Sequence, residues 1–161
     1  MEQNKEIMQM RQDDTYDWEK FMKEEYFPIV EEKVEYLMNQ PYADKLVYCI
    51  YNECDNAVWF GNYIDGNVHY DEVGKANFYK AWKATYELVK SIDPDAMIGG
   101  PGFCDYETSK ISGFMNYCAE NDCVPEIMIS TGMDGLSYTQ LGFYLKGDVN
   151  AKQSANAKYG E

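Results

Sequence analysis

Histidine is almost absent from this chain: His69 is the only one in 161 residues. A histidine-based triad or a multi-histidine metal centre would rest on that single side chain, in a stretch that reads as a loop, so neither chemistry has support. Positive charge is also scarce. Fourteen Lys and Arg face 28 Asp and Glu, a formal charge of -14, and a surface of that sign repels phosphate backbones and anionic lipid heads. The expectation is therefore no nucleic-acid partner and no membrane partner. No stretch approaches the roughly 18 consecutive apolar residues of a membrane span. The polar opening, Met1 to Asp14, has no apolar core of a secretory signal; on its face the chain reads as cytoplasmic, unless Met1 is internal to a longer protein. Five cysteines are an odd number without C-x2-C spacing, which argues against structural zinc and for reduced, structural thiols. Gly99-Gly100-Pro101-Gly102 fits neither G-x-G-x-x-G nor the P-loop, so an open-sheet nucleotide binder has no phosphate cradle. No cofactor is implied.

What is present is enough apolar material for one core, 45% hydrophobic and 16% aromatic,. Trp18, Phe21, Met22, Tyr26, Ile29, Val30, Val34 and Leu37 recur at helical gaps, with Asp17 placed to cap the helix and Pro28 placed to kink or divide it,. Lys45 to Tyr51 is a short apolar run of the kind found in a strand covered on both faces,. Cys54 to Asp71 has no clean period and reads as a long loop at the strand's carboxyl edge. A second helix runs from about Val73 to Ser91 and stops before Asp93-Pro94,. Ala96 to Gly99 reads as a strand, a third helix is capped near Thr108 or Ser109, and Glu126 to Ser130 reads as a third strand,. Alternating helices and strands predict an α/β fold with parallel strands joined by right-handed crossovers. Residues 1–16 form a polar N-terminal segment in this reading, 17–135 the domain, and 136–161 a flexible tail.

Glu53 stands at the carboxyl end of the most apolar strand, the edge where parallel α/β folds keep their active sites,. Beside Tyr51, Trp59 and Phe60, its carboxyl group could be desolvated enough to serve as a general acid; the plainer reading is a solvated loop glutamate or a partner for a helix N-terminus. Asn52 can either bind a ligand hydroxyl or stabilise its own turn. Trp59 can line a ligand or simply pack, and for Phe60 packing is preferred.

The stretch Tyr51-Asn52-Glu53-Cys54-Asp55 resembles the W-N-E-P-(N/D) signature that ends the fourth barrel strand in the large clan of retaining glycosidases. With Trp59-Phe60, the segment Phe78 to Pro101, Gly113 to Cys118 and Val124 to Thr131, it is similar to glycoside hydrolase family 39 over roughly Asp17 to Thr131. The resemblance implies a partial (β/α)8 (TIM) barrel, roughly strands four to six with their helices. It implies hydrolysis of O-glycosidic bonds with retention, Glu53 being the acid/base and Asn52, Trp59 and Asp55 contacting a carbohydrate substrate. Cys54 replaces the motif's proline, and Gly132 stands where the family commonly has a histidine. The family's nucleophile lies on the seventh strand, beyond the last one legible here; Asp105 and Asp134 are the carboxylates on the same sheet edge. A retaining mechanism needs two carboxyl groups about 5 to 5.5 Å apart, and a whole barrel takes about 250 residues. The chain thus reads as a fragment whose open sheet edges favour self-association or a partner chain. The alternative is a non-catalytic α/β module that binds carbohydrate or protein through the Trp59 to Tyr63 loop.

Overall fold

The computed structural model describes residues 7, 9–11, 13–57, 59–64, 67–104 and 107–130; Asp105, Gly132, Asp134 and the expected tail lie outside them. The chain enters α1 (Trp18–Phe21) at Asp17, whose carboxylate accepts from Lys20 N at 2.9 Å, the cap that the sequence suggests. Five residues of π-helix follow, Met22–Tyr26, and then α2 (Phe27–Met38), with Pro28 in its first turn. Proline divides the helix in this way because it has no N–H to offer Glu24, and the ladder resets through a five-residue bond from Phe27 N to Met22 O,.

A three-stranded sheet is the centre of the molecule. Strand β1 is Val47–Cys49, β4 is Met97–Phe103 and β5 is Ile127–Ser130; β4 lies between the others and pairs parallel with both. The fold is mixed α/β with a small parallel sheet, and parallel neighbours require crossovers: β1 reaches β4 through helix α3 (Glu72–Ile92), and β4 reaches β5 through α4 (Thr108–Glu120),. β4 runs four residues further at its carboxyl end than the sequence reading, which stopped at Gly99 because glycine and proline lower strand propensity,. The Cys54 to Asp71 stretch is not a plain loop. It contains an antiparallel hairpin, β2 (Asn62–Ile64) with β3 (Asn67–His69), whose three-residue strands are too short to show a period.

Helix α3 buries Phe78, Ala81, Trp82, Thr85, Tyr86 and Val89 along one face, the stripe set by 3.6 residues per turn. Asp71 caps it by accepting from Gly74 N at 2.8 Å, and Asp93 leaves it in extended conformation ahead of Pro94,. Trp82, with no exposed surface, donates Nε1 to Cys123 O at 2.9 Å, and Phe114 of α4 stacks on Phe78. Glu107, not Thr108 or Ser109, occupies the cap position of α4; its carboxylate takes hydrogen bonds from Ser109 and sits 3.4 Å from Lys110. Tyr48, Ile50, Ile98 and Met128 carry the helix-facing side of the sheet into this core. On the opposite side Val47 and Met97 are exposed. A Cβ on Gly99 would meet Val47 at 3.0 Å and Ile129 at 3.2 Å, which places those side chains together on that uncovered face.

Candidate functional site at the carboxyl end of the first strand

The chain leaves β1 through two left-handed residues. Tyr51 has φ 58° and Glu53 has φ 52°, conformations that residues other than glycine adopt rarely and at a cost of order 1 kcal/mol, and that cluster at binding and catalytic sites. The first of these rotations breaks the alternation of a strand: Ile50 and Tyr51 are consecutive and both buried. Tyr51 turns into the helix layer, where its hydroxyl lies 2.8 Å from Thr85 Oγ1 and 3.4 Å from Ala81 O. Asn52, between the two, is exposed and makes a parallel bridge with Gly102. Gly102 N donates to Tyr51 O at 2.9 Å and Glu53 N donates to Gly102 O at 2.5 Å, so the main chain under Asn52 and Glu53 is pinned to β4.

Glu53 is half-buried, and its carboxylate accepts from Asn56 Nδ2 at 3.2 Å. The turn that follows closes on itself: Asn56 N donates to Glu53 O at 2.9 Å, and Asn56 O receives Trp59 N at 3.0 Å and Gly61 N at 2.9 Å. Gly61 is required there, since a Cβ would lie 2.3 Å from Asp55 O. Trp59 is half-buried, edge-on to Tyr51 at 5.4 Å and to Tyr26 at 5.9 Å, while Phe60 is buried against Trp18 and Phe78. Phe60 therefore belongs to the core, as the sequence favours, and Trp59 retains accessible ring surface.

Asp55 departs from the expectation of a substrate contact. Its side chain is only 2% exposed, one oxygen accepts from Cys104 N at 2.9 Å, and the other is 2.9 Å from Lys110 Nζ. Both oxygens are thus taken by β4's exit and by α4, and the carboxylate ties the Glu53 turn to those elements. The proline position of the motif is filled by Cys54, fully buried, whose thiol is pushed far up by burial and by the charge of Asp55. Burial, with Asp55 beside it, pushes the Cys104 thiol up to about 12. The site is reached from the N-terminal segment too: Arg11, over the rings of Trp18 and Tyr16, donates to Ala57 O at 2.9 Å.

Sequence reasoning missed Asn56, Lys110, Cys104 and Arg11. Asn56 carried the one available signal, three residues after Glu53, the spacing at which a turn returns on itself. Among the described residues no group of three or more His, Cys, Asp or Glu side chains could hold a metal, and no helix is long and apolar enough to cross a membrane.

No protein-family model matches the chain. A beta-xylosidase of Geobacillus stearothermophilus is 35% identical over 49 residues, 30% of this chain and 10% of the relative. A solved structure of N2152 from Neocallimastix frontalis superposes with a TM-score of 0.49 at 23% identity, over 81% of this chain and 29% of that one. The chain thus spans under a third of the length of that solved chain, and the matched segment a tenth of the xylosidase.

Proposed function

We propose that this chain belongs to a glycoside hydrolase that cleaves β-linked O-glycosides with retention, and that it supplies the acid/base half of the site on three strands of a (β/α)8 barrel. The observation that carries the reading is the Asn52-Glu53 pair at the carboxyl end of a parallel strand, with Tyr51 and Glu53 left-handed on either side of Asn52, the edge on which barrel enzymes place their chemistry. The local similarity to a beta-xylosidase supports it. In the reaction Glu53 protonates the glycosidic oxygen as the sugar leaves, then removes a proton from the incoming water. Asn52, exposed beside it, hydrogen-bonds the sugar 2-hydroxyl, and the accessible ring of Trp59 covers a C–H face of the pyranose. Asp55 acts as a brace, since its oxygens are already occupied. The nucleophile comes from outside the described residues. Among the described residues β1 and β5 are the edge strands of the sheet, and with the exposed Val47 and Met97 they are where further strands would join and bring that carboxylate.

Hydrolysis of aryl β-xyloside, β-glucoside and β-galactoside by the purified chain, with the oligomeric state recorded in the same samples, tests this. The expected result is turnover of at least one substrate by the associated form, lost by about 10² to 10⁴-fold in Glu53→Gln, the usual contribution of a general acid/base. Turnover unchanged in the mutant would overturn the assignment of Glu53. Sugar binding without turnover in any assembly state would leave a non-catalytic carbohydrate-binding module.

A further inference from the structure

We infer that Asn56 is a positioning residue for Glu53, holding one carboxylate oxygen so that the proton is carried by the other; this rests on reading Glu53 as the acid/base. Asn56 Nδ2 donates to Glu53 Oε2 at 3.2 Å. An amide oxygen turned towards a carboxylate would be repelled, so the nitrogen is the atom that faces it. Both ends of this contact stand on fixed main chain. Glu53 is anchored to Gly102 O and held at φ 52°, and Asn56 is anchored through its N–H and, twice, through its carbonyl. The fixed main chain at both ends confines the contact, and the Asn56 side chain also meets the neighbouring Cys104 thiol, so it orients the carboxylate from a held position.

The chemistry gives this geometry a purpose. A carboxyl group that donates and then accepts a proton in successive steps must present the same oxygen each time. An N–H bonded to Oε2 occupies a lone pair of that oxygen in both protonation states and leaves Oε1 as the site of proton transfer. A neutral amide does so without adding charge, as a lysine would. The neighbouring Cys104 thiol stays neutral at ordinary pH because burial and Asp55 push it up, so it adds no charge either.

The experiment uses the full chain and two readouts. By NMR, the side-chain amide of Asn56, identified by its loss in Asn56→Asp, is followed against pH in the wild type and in Glu53→Gln. Its protons are expected to move as the carboxylate takes up a proton in the wild type and to be flat in Glu53→Gln; flat behaviour in both overturns the contact. This arm needs no turnover and no folded Asn56→Ala. By kinetics on the aryl β-xyloside, Asn56→Ala is expected to lower kcat about tenfold to a hundredfold with KM little changed, the range of a lost hydrogen bond to a charged group. Asn56→Asp, which sets a second negative charge against Glu53, is expected to lower it further and to displace the pH–rate profile. An unchanged kcat with a raised KM would make Asn56 a binding group and overturn its positioning role. A wild type that shows the NMR coupling but hydrolyses nothing would overturn the reading of Glu53, and with it the catalytic meaning of the contact, while leaving the contact itself established.

Discussion

Lys110 lies in the first turn of α4, far in sequence from Glu53, yet it closes the buried pair on which the Glu53 turn rests. Lys110 is 18% and Asp55 2% exposed along their side chains. Pairs so buried contribute little net stability when compared with apolar replacements, but removing one partner strands the other in a low dielectric and costs about 3 to 5 kcal/mol. Lys110→Met is accordingly expected to lower the unfolding free energy by about 3 kcal/mol in urea, and the double variant Asp55→Leu with Lys110→Met to recover much of it. A loss below about 1 kcal/mol for Lys110→Met would mean that solvent reaches Asp55. Asp55→Asn should cost less than Lys110→Met, because the amide oxygen keeps the bond from Cys104 N and Lys110 retains Glu107 at 3.4 Å. The sequence could announce that Asp55 belongs with Asn52 and Glu53 in one turn. It could not announce that Lys110, 55 residues on, would occupy that carboxylate.

Among the elements, α3 shows how tertiary contact can reverse an intrinsic preference. Replacing a glycine inside an exposed helix by alanine ordinarily stabilises it by about 1 kcal/mol. At Gly74, in the first turn of α3, the new Cβ would lie 2.1 Å from Phe60 O, in the segment that carries Trp59. Gly74→Ala is therefore expected to destabilise the protein and to disturb the Trp59 environment, seen as a shift in its fluorescence; a gain in melting temperature would show that the loop moves aside freely. The same balance governs the strand end. The apolar run from Lys45 to Tyr51 makes a strand legible, but one face of β1 is exposed at Val47 and Cys49 rather than covered, and the rotation at Tyr51 depends on what awaits its ring and hydroxyl, namely Tyr26 at 5.5 Å, Phe78 at 5.7 Å and Thr85 Oγ1.

At the scale of the molecule, an acidic chain buries many groups that must stay neutral. Burial pushes Tyr26 and Tyr79 up to about 12 and holds Tyr51 and Tyr70 well above an ordinary phenol; Cys104 reaches about 12, and Cys54 is also pushed far up. Unfolded thiols and phenols ionise near 8.5 and 10. Each of these pKa values is raised on folding, so the stability they confer is complete below about pH 8.5 and is lost as pH rises through 10 towards 12. Urea midpoints are expected to be insensitive to these groups from pH 7 to 8.5 and to fall steadily above 9; a flat profile up to pH 11 would place these side chains in water. The alternation of helices and strands, the cap at Asp17, the helix end before Pro94, the division at Pro28 and the position of Asn52-Glu53 at a strand end can all be read from the residues alone, because each is set by local periodicity or by the geometry of one residue and its near neighbours. Long-range packing sets the rest: β4 lies between β1 and β5, a short hairpin interrupts the long loop, and Asp55 is occupied by Cys104 N and Lys110 while Asn56 faces Glu53. Those outcomes depend on which distant groups meet when the core closes, and no local rule of spacing carries that information.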